Sequence, residues 1–323
     1  MKTRYLATSL ILAFSAPSSF AYEIIDNDVA YLHFYGQVKA RALFLDEQPN
    51  DYTFGDSKIG VLGRYAITDL ISLSAGTEAQ INFDADEDRN EEDLYVSQYF
   101  VGIYGEGLGS ITYGKHNTSS DDLNGVDYSE AFGGSANLNA VGVKGDTIKY
   151  VYDTDVFTAN ATYGFENGDL NREIAELFGR YNLADMVIIA GIGNSTTNTT
   201  RSQTDATYFQ TTVKFEMGDT NIGATYYYNS TTNKLSRINS VDKNALAIAG
   251  QIAFLETLTG YSGYEVVAQS SDNIALDGNF YNAYLGASYL PLEWLKFFAE
   301  ANHVNPINSA NEVNFGIGAV AVW

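Results

Sequence analysis

A period of two in hydrophobicity is the feature of this sequence that most constrains its fold. Segments in which apolar and polar residues alternate run along most of the chain, separated by stretches rich in Gly, Asn, Asp and Ser. Clear examples are residues 156–165, 209–217 and 281–289. Because successive side chains of a strand point to opposite sides of a sheet, this pattern predicts an all-β protein whose strands have one apolar and one polar face.

Two architectures contain such strands: a soluble sandwich, with its apolar faces packed inside, and a membrane barrel, with its apolar face turned to lipid. Tyr, Phe and Trp cluster toward segment ends, as in residues 226–228 and 294–298, where aromatic girdles lie in a membrane barrel. The breaks between segments also alternate between short and long, for which a sandwich has no requirement. Both observations favour the membrane barrel.

The number of breaks sets the number of strands. Short turns are predicted at residues 68–70, 105–109, 153–155, 183–185, 218–219, 255–257 and 290–293, and long loops at 46–56, 84–93, 117–142, 166–171, 195–205, 230–242, 271–278 and 303–310. Seven short and eight long connections predict a 16-stranded antiparallel transmembrane β-barrel with short periplasmic turns and long extracellular loops. Pro49, Pro291 and Pro306 each fall in a predicted loop or turn, where no hydrogen bond of the sheet is lost.

Composition excludes several functions. A net charge of −22 disfavours nucleic acid as a partner, because phosphate backbones would be repelled. Without cysteine there is no thiol nucleophile and no Cys-ligated metal site, and we expect no cofactor. His33, His116 and His303 are scattered and no Gly-x-Ser-x-Gly motif is present, so we expect no enzymatic activity.

The N-terminus has the features of a secretory signal peptide. Lys2 and Arg4 precede an apolar stretch at residues 5–16, and small residues lead up to Ala21. The apolar stretch is shorter than the roughly 20 residues that span a bilayer. We therefore predict a signal peptide at residues 1–21, followed by a β-barrel at residues 22–323.

Several short motifs occur in an order that points to a known family. They are Phe34-Tyr35-Gly36-Gln37-Val38, Ser57-Lys58-Ile59-Gly60-Val61, Thr112-Tyr113-Gly114-Lys115, Phe132-Gly133-Gly134 and Thr147-Ile148-Lys149-Tyr150. Together they resemble the trimeric general-diffusion porins of Gram-negative outer membranes. The resemblance implies a homotrimer in the outer membrane, in contact with lipid and lipopolysaccharide. It also implies a water-filled channel for passive diffusion of small hydrophilic solutes and ions.

The C-terminal segment also resembles that family. Residues 313, 315, 317, 319, 321 and 323 are apolar and share one face, so the chain ends with Trp323 on the predicted lipid side. In the family a terminal aromatic residue, most often Phe, is recognised by the barrel-assembly machinery. The resemblance implies this role for Trp323.

A 16-stranded barrel is too wide for its side chains to fill and leaves an aqueous channel, so whatever folds inside limits passage. The longest connection, residues 117–142, corresponds to the family's third loop, which folds inward. Its predicted constriction residues are the acidic Asp121, Asp122, Asp127 and Glu130, with Gly133 and Gly134 as a hinge. The predicted basic residues of the pore wall are Lys39, Arg41, Lys58, Arg64 and Lys144.

These charges predict a transverse field in the pore with a mild preference for cations. By motif position, Lys58 matches a constriction arginine of the family and Asp127 a loop carboxylate. Ser97 stands where the family commonly has arginine, so the series of wall cations is thinner here.

Residues 84–93 include seven carboxylates. Asp86, Glu87 and Asp88 could contact a divalent cation at the surface, because calcium and magnesium prefer oxygen ligands. In the family this second loop reaches across to the neighbouring subunit, and we favour that role here. Simple solvated charge at the cell surface is an alternative, and cation-mediated bridging to lipopolysaccharide phosphates is a further one.

Two other functions remain open from the sequence. One is a porin selective for oligosaccharides, in which Tyr99, Tyr208, Tyr227 and Tyr284 would stack on sugar rings. The other is an occluded barrel that serves as a surface receptor or structural protein. Conductance separates the second from any porin.

Overall fold

The computed structural model describes residues 22–27, 29–46, 48–81, 94–139, 142–167, 171–199, 203–234, 240–273 and 276–323. The predicted signal peptide and the acidic residues Asp86, Glu87 and Asp88 lie outside these residues. Within the described ranges, no helix combines the length and the apolar character that crossing a bilayer requires.

The described chain contains strands and one short helix. Their bounds are β1 (Tyr22–Asp26), β2 (Ala30–Phe44), β3 (Asp51–Thr53), β4 (Ser57–Ala66), β5 (Ile71–Ile81), β6 (Leu94–Gly105), β7 (Gly109–Asn117), α1 (Ser119–Asp122), β8 (Val143–Asp153), β9 (Phe157–Asn167), β10 (Arg172–Leu183), β11 (Met186–Asn198), β12 (Gln203–Met217), β13 (Thr220–Asn233), β14 (Ser240–Leu255), β15 (Leu258–Ser271), β16 (Gly278–Leu292), β17 (Leu295–Asn305) and β18 (Glu312–Val322).

Sixteen of these strands form a closed antiparallel barrel, as the sequence predicts. β2 and β4 to β18 each pair with the next strand, and β18 pairs with β2 to close the sheet. β1 pairs with the first half of β2, and β3 pairs with its second half. Closure leaves no free sheet edge, which is what a sheet in lipid requires because water is absent there to pair with open backbone groups.

The polarity of the two faces of the sheet is the reverse of that in a soluble protein, because the apolar face is outside and the polar face is inside. Large apolar side chains on the outer face are exposed, such as Val101 at 62% and Leu285 at 68%. Polar side chains on the inner face are buried, such as Gln210 and Asn282 at 1% each. The predicted alternation at residues 156–165, 209–217 and 281–289 is confirmed in β9, β12 and β16, where the polar positions face the lumen.

The connections alternate between short and long in the predicted order. Two of the predicted long loops are shorter than expected, because β11 to β14 extend into residues 195–205 and 230–242. These extensions are rich in Thr, a β-branched residue that suits a strand. Their ends are tied by polar cross-strand contacts, such as the hydrogen bond from Thr196 Oγ1 to Asp205 Oδ1 of 3.0 Å.

The prediction that every proline lies in a loop or turn is wrong for Pro291. This residue lies inside β16, and the chain turns at residues 293–294 and not over the predicted 290–293. The register between β16 and β17 is interrupted between Tyr289 and Leu292. Pro291 therefore occupies an irregular part of the ladder, which is where a strand tolerates a missing N–H donor.

The last residue of the chain, Trp323, takes part in the strand pairing that closes the barrel. The backbone N–H of Trp323 donates to the carbonyl oxygen of Gly36 at 3.1 Å, and Gly36 N–H donates to Trp323 O at 2.9 Å. The indole ring lies directly over Gly36, where a side chain would collide with it. A glycine in β2 thus makes room for the terminal aromatic residue on the outer face.

Candidate pore constriction

The connection between β7 and β8, which we call the inward loop (residues 118–142, of which the structure describes 118–139 and 142), enters the barrel. It begins with α1 and then crosses the inner face of the wall. Val126 N–H donates to Thr225 Oγ1 at 2.8 Å, and Asn139 Nδ2 donates to Gln210 Oε1 at 2.9 Å. Since both acceptors face the lumen, the loop lies inside the barrel, where the sequence places it.

The middle of the inward loop is anchored by a buried glutamate of β17, Glu300. Glu300 accepts hydrogen bonds from the backbone N–H of Glu130 at 2.8 Å and of Phe132 at 3.0 Å. It also accepts from Ser129 Oγ at 2.5 Å and from Tyr261 Oη at 3.1 Å. One carboxylate thus satisfies several donors that would otherwise be unpaired in the turn, and it fixes the turn against the wall.

Two more strand glutamates hold the loop in the same way. Glu176 of β10 accepts from Ser120 N–H at 3.1 Å and from its hydroxyl at 2.7 Å. Glu265 of β15 accepts from the N–H groups of Ser135 and Ala136, both at 3.3 Å. The loop is therefore attached to three separate strands through charge-assisted hydrogen bonds.

Apolar packing adds to these bonds. Val126 and Ala136 of the loop are buried against lumen-facing side chains of β13 to β16. The wall residues in this cluster are Tyr227, Ala245, Ala247, Ala249, Tyr261, Val267 and Tyr284. Three alanines at alternate positions of β14 leave space for the loop, so the wall is shaped to receive it.

The predicted hinge glycines have clear local reasons to be glycine. Gly134 has a φ of +82°, a backbone conformation that side chains disfavour. Gly133 has no room for a Cβ, which would meet the Asp127 carboxylate and Ser129. Both residues keep a tight turn next to Asp127. Movement about a hinge stays a prediction.

Asp127 lies at the surface of the inward loop and keeps part of its side chain open to the lumen. Its Oδ1 accepts from the Tyr284 hydroxyl at 2.9 Å and from Ser129 N–H at 2.9 Å. Crowding by the loop and the wall raises its pKa above the ordinary value, and the hydrogen bonds from Ser129 and Tyr284 oppose this shift. No cation forms an ion pair with Asp127 within the described residues.

Glu130 is the loop carboxylate that faces wall cations. It forms ion pairs with Lys296 of β17 and with Lys39 of β2, the latter at 3.9 Å. Lys39 also lies 3.8 Å from Asp56, which pairs with Arg41 at the same distance. The structure therefore brings together Glu130, Lys39 and Arg41 of the predicted set, with Asp56 and Lys296 in addition.

The two carboxylates of α1 are close to the wall. Asp122 forms an ion pair with Lys149 of β8, and both side chains are 2% exposed. Burial raises the pKa of Asp122 to about 7, although Lys149 opposes the shift. Burial likewise raises the pKa of Asp121. Lys149 neutralises Asp122 locally, so this pair contributes little net charge to the pore.

The ion pair that Lys58 forms among the described residues lies within the wall, and Lys58 also interacts electrostatically with Asp121 of the loop. Its ammonium lies 3.2 Å from Glu78 of β5. Glu78 also accepts a hydrogen bond from Ser97 Oγ at 2.9 Å. Ser97 is the residue that stands where the family commonly has arginine. The charge of Lys58 is therefore offset by a neighbouring strand.

Arg64 and Lys144 have other surroundings. The Arg64 guanidinium lies over the Tyr104 ring, 4.0 Å from its centre. The Lys144 ammonium donates to the carbonyl oxygens of Gly145 at 3.0 Å and of Phe165 at 2.9 Å. Both basic groups therefore have contacts with the wall.

The tyrosines suggested for sugar stacking are not arranged for it. Tyr208, Tyr227 and Tyr284 face inward but are at most 4% exposed, because the inward loop covers them. Tyr99 faces outward and is 49% exposed, so its predicted inward position is wrong. The register between β5 and β6 is irregular near Glu78. Because of this irregularity, Tyr99 lies on the lipid-facing side of β6 and not on the lumen side.

Sequence reasoning missed the residues that hold the loop and pair its charges. They are Asp56, Glu78, Lys149, Glu176, Glu265, Lys296 and Glu300. The strand residues among them lie on the polar face, so the alternation could have identified them as lumen side chains. Among the described residues, no group of three or more His, Asp or Glu side chains could hold a metal ion.

Comparison with known proteins supports the same fold. The profile of a family described as Gram-negative porin matches residues 7–320. A loop L8 deletion mutant of OmpT, an outer membrane protein of Vibrio cholerae, is 28% identical, covers 92% of this chain and 100% of its own, and has a TM-score of 0.83. OmpT of Vibrio cholerae in a trimer form is 27% identical, with 92% and 100% coverage and a TM-score of 0.80.

A more distant structure shares the fold alone. The anion-selective porin from Comamonas acidovorans is 11% identical, with 91% and 100% coverage and a TM-score of 0.75. The comparison with curated sequences gives no match. The family match confirms the resemblance inferred from the sequence motifs.

Proposed function

Because this chain belongs to the Gram-negative porin family and is a β-barrel protein of the outer membrane, we propose that it forms a water-filled channel for passive diffusion of small hydrophilic solutes and ions. The inward loop carries this proposal. It is attached to β10, β15 and β17 by Glu176, Glu265 and Glu300. A loop held inside a wide barrel narrows the water-filled lumen.

The distribution of charges supports a mild preference for cations. Lys39, Lys58, Lys149 and Lys296 each pair with a carboxylate. By contrast Asp127, Glu176, Glu265 and Glu300 form no ion pair with any described residue. Unbalanced carboxylates create a negative potential in a narrow aqueous passage, which concentrates cations.

We propose passive transport with no catalytic activity. His116, a buried histidine, stacks on Phe100 with ring centres 5.0 Å apart. The covered tyrosines Tyr208, Tyr227 and Tyr284 give no support to an oligosaccharide-binding series. An occluded receptor or structural barrel would carry no current, so conductance distinguishes it.

We further propose that the protein is a homotrimer, since an OmpT structure that is 27% identical is described as a trimer form. Cleavage of the signal peptide after Ala21, recognition of Trp323 by the assembly machinery, and contacts with lipid and lipopolysaccharide belong to the same proposal. So does a surface contact of Asp86, Glu87 and Asp88 with divalent cations. The last is tested by measuring calcium binding to the folded protein.

The experiment is single-channel recording of refolded protein in a planar bilayer, with the reversal potential measured across a salt gradient. We expect current steps that close in threes and a reversal potential of the sign given by cation preference. Asp127→Asn should weaken this preference, because it removes an unpaired carboxylate. Asp69→Asn, in the exposed turn between β4 and β5, is the control and should leave it unchanged.

Two outcomes would contradict the proposal. If protein that is demonstrably folded carries no current, it is not a diffusion channel. If it prefers anions, the assignment of the constriction charges is wrong.

A further inference from the structure

A polar cavity of about 480 Å³ lies inside the barrel beneath the inward loop, near the short turns. The loop forms its roof through Asp122, Leu123 and Asn124, and strands β10, β11 and β12 form its walls. The wall residues are Arg180, Asn182, Ala184, Val187, Ile189, Lys214 and Glu216. Its volume lies in the range that binds small molecules.

Two buried polar atoms on the lining residues have no partner in the described protein. They are Oδ1 of Asp122, an acceptor, and Nε of Arg180, a donor. The Asp122 side chain is only 2% exposed. Since buried polar groups in proteins are nearly always hydrogen-bonded, two such atoms on residues lining one cavity indicate that something polar completes the site.

Two charged side chains of β12 also reach this cavity. Lys214 and Glu216 are two residues apart, so both lie on the lumen face of the strand. Neither forms an ion pair or a side-chain hydrogen bond with any other described residue, whereas the neighbouring Arg180 does pair with Asp153 at 3.8 Å. Lys214 interacts electrostatically with both Arg180 and Glu216.

We propose that this cavity is a binding site for a zwitterionic solute with an apolar side chain, of the class of a free α-amino acid. The solute's carboxylate faces Lys214 and Arg180, and its ammonium faces Glu216 and Asp122. Its side chain lies against Leu123, Val187 and Ile189. The lining offers one unpartnered donor, Nε of Arg180, and one unpartnered acceptor, Oδ1 of Asp122. A ligand that carries one negative and one positive group can pair with both.

The site deepens the proposed function and rests on it, because the solute reaches the cavity only through the lumen. A weak site is compatible with transport, since a channel must release what it binds. Its place near the short turns puts it after the constriction for a solute that enters from the side of the long loops.

The test is binding of radiolabelled L-leucine to the folded protein in detergent, measured by equilibrium dialysis. N-Acetyl-leucine, which lacks the ammonium, and leucinamide, which lacks the carboxylate, are the two matched competitors. Lys214→Gln removes the proposed contact with the carboxylate. Lys243→Gln is the control, because Lys243 also faces the lumen but lies on β14, away from the cavity.

We expect saturable binding of leucine, at least about tenfold weaker competition by each analogue, and at least about tenfold weaker binding to Lys214→Gln, as for loss of one charge-assisted hydrogen bond. Lys243→Gln should bind as the unchanged protein does. Glu216→Gln, at an exposed position, is a second variant that should weaken binding and that tests the site if Lys214→Gln does not fold.

Absence of saturable binding, equal competition by the analogues, or wild-type affinity in both cavity variants would overturn the proposal. Conductance of the same preparation separates the two hypotheses. A conducting channel without leucine binding overturns this inference alone, whereas loss of conductance with binding retained overturns the proposed channel.

Discussion

The four acidic residues of the inward loop differ in what surrounds each carboxylate. Asp122 is buried against Lys149, and Glu130 pairs with Lys39 and Lys296. Asp127 has only neutral partners, Tyr284 and the backbone of Ser129. An ion pair cancels much of the field that a charge exerts at a distance, so Asp127 is the loop residue from which we expect the largest single effect on permeating ions.

The raised pKa of Asp127 makes ion selectivity depend on pH. Protonation removes its negative charge, so cation preference should fall as pH falls. Because the pKa is above the ordinary aspartate value of 3.8, the decline should begin at a higher pH than for an exposed aspartate. The measurement is the reversal potential at a fixed salt gradient between about pH 8 and about pH 4.

Asp127→Asn isolates this contribution. The variant has no charge to lose at this position, so its selectivity should vary less with pH over the upper part of that range. Asp69→Asn should keep the unchanged profile. The assignment is wrong if Asp127→Asn and the unchanged protein have the same pH profile.

Among the elements, the inward loop depends most on residues that are distant in sequence. Glu300 lies about 170 residues from the turn that it holds, and it accepts from three successive loop N–H groups. Glu300→Gln keeps the shape but replaces one acceptor oxygen by a donor that faces these N–H groups. We expect weaker anchoring, by about 1.5–3 kcal/mol for a hydrogen bond to a charged group.

The expected result of Glu300→Gln is a noisier open-channel current, with the barrel still folded. Glu312→Gln, at the start of β18 and remote from the turn, is the control and should conduct as the unchanged protein does. If Glu300→Gln shows the current noise of the control, the loop is held by its apolar packing and not by this carboxylate.

Strands could be predicted from this sequence far better than the path of the loop. Alternation fixes which side chains face the lumen, as in Gln210 and Lys214 of β12, because a strand has only two faces. It also placed Lys39 in the lumen, whereas the inward position of Glu130 was inferred from the family resemblance of its loop. Alternation could not show that the ion pair of Lys58 is with Glu78 of a neighbouring strand, since such pairing depends on register between strands. Irregular registers likewise account for the errors at Tyr99 and Pro291.

The whole molecule is held by a closed ring of hydrogen-bonded strands, and one pair of strands joins the two ends of the chain to close that ring. That pair is β18 with β2, and it ends at Gly36 and Trp323. Charge does not help closure, because a chain with a net charge of −22 repels itself. The indole ring of Trp323 lies over Gly36 at this closing pair, and a single substitution at Gly36 can test how much that contact contributes.

Gly36→Val should destabilise the folded barrel by about 1–3 kcal/mol, because the new side chain occupies the place of the indole ring and forces it away. Gly179→Val is the matched control, since Gly179 also faces outward and a Cβ there meets its neighbours at ordinary contact distances of 3.5 Å or more. The measurement is the temperature at which each protein loses its folded mobility in a semi-native gel. A lower temperature for Gly36→Val alone is expected, because only this substitution acts on the contact between the first and last strands of the ring. Equal temperatures for the two variants would mean that Trp323 contributes nothing to closure once the backbone ladder has formed.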